Sequence, residues 1–451
     1  MKKLLLSVAI LCTALSLKAQ DTLLIRKFYD EALTNGQAYD NLRYLCKSIG
    51  PRLNGSPQAE KAVYWGKKLM EGYAFDKVFL QEVMVPQWIR GAKAQAFIID
   101  GKKKIPVPIA ALGLSVATPA AGITASVIEV HSLKELAALG ESVIKGKIVF
   151  FNRPFNPRFV SPDDGYGDAS DQRFFGPEEA AKYGAVGVIV RSLTPNFDDY
   201  PHTGTTLTTK GAKAVPAAAI STNAADQLSR MLKLRKFPQA KFWFKQSCRF
   251  MGNLKSFNVV GELTGTENPN KFITVGGHLD SWDLAEGAHD DGTGIVQSAE
   301  VLRIFKAVGY RPKNSVRVVF FMNEEQGDRD GQSESGGDIY AALAAKNKED
   351  HVAAIESDIG GFSPRGFTFD GLPAATLLSI NKNWKPLLEP YLADRLVPGF
   401  SGSDIEPLRV KMPAVALIGF LPDTQRYFDL HHTPIDVFEN VNKRELELGA
   451  A

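Results

Sequence analysis

Apolar and polar positions fall into four successive textures. Leu4 to Leu17 is an apolar run behind a short basic head, Met1-Lys2-Lys3, and it gives way to Lys18-Ala19-Gln20. Basic head, apolar run and small exit residue are the parts of a secretion signal. Residues 1–20 are therefore expected to be a signal peptide cut near Ala19 or Gln20, with export to a periplasmic or extracellular space. The run is shorter than the ~20 apolar residues of a spanning helix, and no later stretch is long enough, so no transmembrane segment is expected. Ser56-Pro57 then opens a helix, a Ser cap followed by Pro at its first position. Ala59, Ala62, Val63, Leu69, Met70 and Tyr73 follow at helical spacing. Gln95 to Asp100 and Ile105 to Ala111 read as two strands joined at Asp100-Gly101.

From Gly122 to Phe244 the pattern predicts a compact α/β unit. Lys147–Phe151, Ala185–Val190 and Pro216–Ile220 are apolar strands, and Pro177–Tyr183 is a short helix with Gly184 beyond its end. The polar, Gly/Asp-rich stretch Phe155–Phe175 reads as a loop, and Arg249–Asn258 as a linker. Beyond it Phe272–Gly276, Val316–Met322, Val352–Ile355 and Ala414–Gly419 are apolar strands, and a helix carries Ile295, Ala299, Leu302 and Phe305. Strands alternating with helices predict a mixed, mostly parallel sheet sandwiched by helices. In such a sheet the site forms beyond the carboxyl ends of the strands.

Composition narrows the picture. The chain has 451 residues, 44% of them hydrophobic, enough for two domains with buried cores. Lys plus Arg number 53 and Asp plus Glu 50; three of the positives, Lys2, Lys3 and Lys18, lie in the signal. A mature chain balanced at 50 against 50 argues against nucleic acid as a partner. Cys46 and Cys248 are left; a disulfide and two separate buried thiols both fit.

The chemistry gathers at the predicted strand ends. The first ends in Gly277-His278-Leu279-Asp280, and the next loop reads Ala288-His289-Asp290-Asp291-Gly292. The others end in Asn323-Glu324-Glu325-Gln326, Glu356-Ser357-Asp358 and His431-His432-Thr433. Four of the seven histidines lie in these loops. Imidazoles and carboxylates meeting at one sheet edge repel or desolvate one another unless a cation joins them, and that donor mixture suits zinc.

Taken together and in this order, Gly277-His278-Leu279-Asp280-Ser281-Trp282-Asp283, Glu324-Glu325-Gln326-Gly327, Glu356-Ser357-Asp358 and His431-His432 resemble the secreted di-zinc exopeptidases, the family of bacterial leucyl aminopeptidases and glutamate carboxypeptidases, with the plasma glutamate carboxypeptidase branch the nearest. Gly146-Lys147-Ile148-Val149, Glu179-Ala180-Ala181, Gly184-Ala185 and Pro201-His202-Thr203-Gly204 resemble the protease-associated α/β domain inserted in that family. The resemblance implies a peptidase domain over 21–86 and 251–451, interrupted by the inserted domain over 87–250. It implies two divalent metal ions, most simply Zn2+: Asp290 bridges both, His278 and Asp358 complete one site, Glu325 and His432 the other. His432 rather than His431 is the implied ligand, and His289 and Asp291 are not. Glu324 and Asp280 are the implied catalytic pair, Glu324 as general base towards a metal-bridging water and Asp280 holding the His278 imidazole.

By the same resemblance the substrate is a dipeptide or short peptide, the preferred activity dipeptidase or carboxypeptidase, and a homodimer a known assembly. An aminopeptidase of this family and an inactive binding protein on the same fold are the alternatives. Asp404 is a candidate for holding a free amine, and His202 and Arg153 are candidates for a lid over the cleft. The acid-rich segment 328–338 departs from the family pattern and is a candidate cleft lining that would disfavour acidic substrates. No Gly-x-Ser-x-Gly motif of a serine hydrolase occurs.

Overall fold

The computed structural model describes residues 21–234, 241–328 and 333–451. The signal-peptide reading lies outside the described residues. No described helix is long and apolar enough to cross a membrane.

Two eight-stranded sheets organise the chain. The first runs, edge to edge, through Lys77–Ile89, Arg249–Leu263, Asn314–Phe321, Asn268–His278, Asp350–Glu356, Ala416–Pro422, Pro364–Asp370 and Arg395–Pro398. Its centre is parallel: Asn268–His278 pairs in parallel with Asn314–Phe321 and with Asp350–Glu356, which pairs in parallel with Ala416–Pro422. Antiparallel strands flank that centre. Strand alternation sends Val316, Val318 and Phe320 to one face, against Ile295, Val296, Ala299 and Leu302 of the helix Thr293–Ala307. Val319 and Phe321 face the other way, against Tyr340, Ala341 and Ala344 of the helix Gly336–Lys346. Each Val, Leu, Ile or Phe among them, fully buried, contributes ~1.5–3 kcal/mol.

The Ser56 cap forms as its sequence predicts: its hydroxyl accepts from the Ala59 N–H at 3.1 Å, opening the helix Pro57–Gly72.

The second sheet is built from the middle of the chain, in the order Lys103–Val107, Gln95–Asp100, Lys241–Lys245, Ile123–Val130, Ile148–Phe151, Gly187–Arg191, Ala217–Ile220 and Ile109–Ala111. The chain enters it from Lys77–Ile89 and leaves it into Arg249–Leu263. These two strands pair antiparallel, Lys77 opposite Glu262 and Ile89 opposite Arg249, so the two crossings lie side by side.

Four stretches differ from the sequence reading. Arg249–Asn258 is the first part of a long strand rather than a linker, because it pairs with Lys77–Ile89. The second arm of the hairpin divides: Lys103–Val107 pairs with Gln95–Asp100, while Ile109–Ala111 pairs with Ala217–Ile220 across the sheet. Pro108 stands at the break and has no N–H to continue a ladder. Phe155–Phe175 holds the short helices Pro162–Ala169 and Asp171–Phe174. Pro162 begins the first, and Asp163 and Asp164 sit in its first turn, where carboxylates suit the helix dipole. The strands Pro364–Asp370 and Arg395–Pro398, with the helix Ala374–Leu388 between them, extend the first sheet unpredicted. Cys46 and Cys248 are free and buried in separate clusters.

Candidate metal centre

Register sets the site. His278 pairs with Phe321, and Gly276 with Glu356, so the carboxyl ends of three strands finish level. His278 is the last residue of its strand, Glu324 and Glu325 follow Asn314–Phe321, and Asp358 follows Asp350–Glu356. Asp290 lies in the turn Ala288–Gly292 that leads into Thr293–Ala307, and His432 follows the short helix Tyr427–Leu430. All five implied ligands converge there.

Asp290 stands at the middle. Its Oδ1 is 3.1 Å from His278 Nε2, which is also 3.2 Å from Asp358 Oδ1. Its Oδ2 is 3.1 Å from His432 Nε2, which is also 3.1 Å from Glu325 Oε2. One carboxylate thus faces two donor sets, one through each oxygen. His431 lies farther out, with Nε2 3.7 Å from Asp290 Oδ2, and stacks on the His432 ring at 3.5 Å between centroids.

The donors fit divalent cations. His278 Nδ1 donates to the Asp280 carbonyl at 2.9 Å and His432 Nδ1 to the Thr203 carbonyl at 3.2 Å. In each ring this leaves the Nε2 lone pair facing inward. Asp290 Oδ2, Glu325 Oε1 and Asp358 Oδ1 are buried without a properly directed hydrogen bond, and ligand atoms of His278, Asp290 and Asp358 lie within 4.8 Å of one another. Burial pushes the Glu325 carboxyl up to about 8 against the pull of His432, and that of Asp358 up to about 6 against the pull of His278. Burial also works to raise Asp290, but the adjacent His278 and His432 imidazoles hold it well below the carboxylate range. A cation would relieve all three costs at once.

His289 and Asp291 are engaged elsewhere. His289 Nε2 donates to the Asn440 carbonyl at 3.2 Å, its Nδ1 accepts from the Gly361 N–H at 3.2 Å, and the ring stacks on Phe362. Asp291 accepts from the N–H groups of His278 and Gly294. Asp436 accepts from the N–H groups of His289 and Asp290 and so fixes the Asp290 turn.

Asp280 acts differently from the sequence reading. Its carbonyl, not its carboxylate, takes the His278 Nδ1 proton; the carboxylate lies 3.9 Å from that nitrogen. The carboxylate instead accepts from three successive backbone N–H groups, Asn323 at 2.8 Å and Glu324 and Glu325 at 3.3 Å each. Asn323 is left-handed at φ 71°, a conformation Asn tolerates. Asp280 therefore holds the turn that aims Glu324 and Glu325. Glu324 Oε1 accepts from the Ser403 hydroxyl at 2.7 Å.

A cavity of about 470 Å³ opens over the cluster, lined by Asp290, Glu324, Glu325, Glu356, Asp358, His431 and His432 from the first sheet. The chain segment between the strands of the second sheet supplies the other wall, with Tyr166, Arg173, Phe174 and Thr205. Tyr166 stacks on Phe428 and meets the His431 ring edge-on. The Thr203 N–H donates to the His432 carbonyl at 3.0 Å, so the backbones of the two sheets are joined at this residue.

The three substrate-side candidates move. Asp404 is 1% exposed and does not line the cavity; burial and then the neighbouring Glu356 and Glu324 push its carboxyl well up. Glu356 lines the wall in its place, with Oε1 unpartnered. Arg153 is bound to Asp171 and its backbone to Gln172, and it does not line the cavity. His202 is buried beside His432, and burial first, then that neighbour, push it down to about 3. The described residues of 328–338 line none of this cavity; Asp328 lines a separate one with Phe175 and Thr209, and Ser335 caps Gly336–Lys346. Arg173, Glu356, Ser403 and Thr203 went unnoticed in the sequence as site residues. Glu356, two residues before Asp358, and Thr203, in Pro201-His202-Thr203-Gly204, lay inside recognised motifs.

The chain is similar to known proteins over most of its length. The profile of Peptidase family M28 matches residues 258–449. Carboxypeptidase Q of Bos taurus is 33% identical over 417 residues, 92% of this chain and 83% of its own. The crystal structure of a Peptidase M28 precursor from Shewanella amazonensis SB2B superposes with a TM-score of 0.87 at 30% identity, over 96% of this chain and 94% of that one. A zinc aminopeptidase from Bacillus subtilis shares the fold, with a TM-score of 0.63 at 19% identity over 93% and 94%. The chain belongs to peptidase family M28 and is a zinc metallopeptidase.

Proposed function

We propose that the chain is an exported di-metal exopeptidase that hydrolyses dipeptides or short peptides, as a dipeptidase or carboxypeptidase. The observation that carries this reading is the central Asp290, one oxygen towards His278 and Asp358 and the other towards His432 and Glu325. These five residues are assigned as ligands of two divalent ions, most simply Zn2+. Such ions, when bound, supply Lewis acidity for the peptide carbonyl and for water.

The chain's own groups do the rest. Glu324 is the general base: it takes a proton from the attacking water and returns one to the leaving amine. Ser403 and the Asp280-held turn keep its carboxylate directed into the cavity. Tyr166, Phe428 and Phe420 give the cavity wall an aromatic part beside the acids.

The second sheet is read as the inserted protease-associated domain over about 87–250, and residues 1–20 as the export signal. Similarity to carboxypeptidase Q favours action at a free carboxyl end. A second reading, aminopeptidase, rests on Glu356, whose unpartnered Oε1 on the cavity wall could hold an ammonium.

The test is a panel of one dipeptide, its N-blocked form and its C-amide, each with zinc and with chelator, beside Glu324→Gln. Zinc-dependent cleavage of the free dipeptide that Glu324→Gln abolishes supports the peptidase. Tolerance of the amide means aminopeptidase, tolerance of the N-block means carboxypeptidase, and refusal of both means dipeptidase. No cleavage by metal-loaded protein overturns the reading.

A further inference from the structure

Arg52 is fully buried, yet among the described residues no carboxylate lies within ion-pair distance of it. Burying a lone guanidinium is costly, so such groups ordinarily meet acids. Arg303 beside Glu300 and Glu31, Arg317 beside Glu262 and Glu349, and Arg191 beside Asp226 show the usual arrangement. The Arg52 fork goes to backbone carbonyls instead: Nε to Leu279 at 2.6 Å, Nη1 to Glu286 at 2.7 Å and Nη2 to Gly287 at 2.9 Å. Its N–H donates to the Ser281 hydroxyl at 3.0 Å, and the Ser281 N–H donates to its carbonyl at 3.3 Å.

All of these bonds reach one loop, the stretch between His278 and Asp290. A rigid planar fork that grips the start and the end of a loop fixes the distance between them. Gly287 tightens the closure: it is left-handed at φ 59°, and a Cβ there would stand 2.4 Å from that of Ser281. Two residues further on, Asn54 grips a second loop. Its Nδ2 donates to Asp280 Oδ2 at 3.0 Å and to Asn323 Oδ1 at 2.7 Å. It therefore ties the His278 loop to the turn that bears Glu324 and Glu325. Leu53, between the two, is buried with Trp88, Leu114 and Trp282, which anchors the segment. Neither Arg52 nor Asn54 lines the cavity.

We propose that Arg52 and Asn54 are positioning residues of the metal centre: Arg52 sets the separation of His278 from Asp290, and Asn54 sets the Glu324–Glu325 turn against both. The assignment rests on the reading of these residues as metal ligands and general base. It also accounts for the missing ion pair. A carboxylate partner would balance the charge of Arg52 but leave the loop free, whereas carbonyls carry its grip into the backbone. The charge itself is still attracted by the nearby acids Asp436, Asp280 and Asp291.

The experiment strips the full chain of metal and titrates it with Co2+, a spectroscopic stand-in for zinc, while visible absorption is followed. Wild type, Arg52→Lys, Asn54→Ala and Arg317→Lys are compared, each with its urea midpoint. Arg52→Lys keeps the charge without the fork. It should weaken Co2+ binding by about 10- to 100-fold, the usual cost of losing a group that orients metal ligands, and shift the absorption bands. Asn54→Ala should weaken only one Co2+ step, that of the ion held by Glu325 and His432. In its zinc-loaded form it should lose about 10- to 100-fold in kcat on a free dipeptide at unchanged KM. Arg317→Lys, a buried arginine of the same sheet, should lower the urea midpoint and leave the Co2+ affinity and spectrum as they are. Unchanged Co2+ binding and spectra in both Arg52→Lys and Asn54→Ala overturn the proposal. So do changes that Arg317→Lys reproduces, because they report destabilisation alone. If Arg52→Lys does not fold, Asn54→Ala decides by the same measures. A wild type that binds Co2+ but cleaves no peptide refutes the peptidase reading, and the Co2+ titrations then decide the proposal. A wild type that binds no divalent ion overturns both.

Discussion

One strand, Asn314–Phe321, carries two buried clusters of charge that differ in every respect that matters. Near its start Arg317 lies between Glu262, at 2.8 Å, and Glu349, at 2.6 Å, with His351 closing the group on Glu349 at 3.1 Å. Each acid has a cation, and the guanidinium packs over the Phe272 ring. Beyond its end Glu324 and Glu325 join Asp290 and Asp358, with imidazoles and the Ser403 hydroxyl as their direct partners and buried oxygens left over. The first cluster pulls Glu349 down to about 2 against its burial, through His351 and Arg317. In the second, burial drives Glu325 up to about 8. A satisfied cluster ties strands together; an unsatisfied one in a cavity is arranged for something that comes from outside.

That contrast can be broken by separating activity from stability. Glu324→Gln should lower kcat by ~10²–10⁴-fold and leave the urea midpoint where it is; a matching loss of stability would make the two ends alike. Arg317→Met should do the reverse, costing ~3–5 kcal/mol in urea unfolding, because it breaks a buried ion-pair group and leaves Glu262 with Lys77 alone and Glu349 with His351 alone, while bound metal measured by atomic spectrometry stays unchanged. A fall in metal content would show that the ends communicate.

The pH dependence sharpens the contrast further. Glu349 is depressed in the folded chain, to about 2 from 4.5. Its contribution is present above about 4.5 and lost as pH falls towards about 2, and Glu349→Gln should flatten stability over that window by on the order of 2–3 kcal/mol. Glu447, in the helix Lys443–Ala450, has the opposite sign. Burial first, and Glu300 among its neighbours, raise it to about 7, although it accepts from the Tyr39 N–H. It is neutral when folded, so its contribution is full below about 4.5 and lost as pH rises through about 7. Glu447→Gln should therefore stabilise the chain at pH 8 by about 1–2 kcal/mol and have little effect at pH 4. Equal effects at both values would mean a packing change instead.

The parallel core was legible because its strands are buried on both faces, so they appear as short apolar runs, and because the loops at their carboxyl ends concentrate His, Asp and Glu. The outer strands were not. Pro364–Asp370 carries Arg365, Thr368 and Asp370 at partly exposed positions, and the helix beside it, Ala374–Leu388, has no fully buried residue. Neither gives a strong period to read.

Arg173 escaped for a different reason. Its segment is polar and Gly-rich, and it becomes helical only because Phe155 and Tyr166 find Phe428, far along the chain, to pack on. Asp280 was found by its motif, but that its carbonyl lies 2.9 Å and its carboxylate 3.9 Å from His278 Nδ1 is a detail that spacing along a sequence does not encode. Asp404 read as a loop acid that could hold a free amine, and only the fold reveals that it is buried and that Glu356 lines the wall instead.

The pair of hydrogen bonds between Thr203 and His432 has a consequence for anyone who would dissect or rebuild this protein. The middle of the chain is topologically a detour, leaving and rejoining through adjacent strands, and so looks removable. Excision would take away the carbonyl that fixes the His432 tautomer and the N–H that anchors its backbone. It would also remove the wall that bears Arg173. A trimmed version would need a replacement keystone at that one contact, and grafts between homologues should be cut so that the 202–205 loop travels with the histidine it steadies.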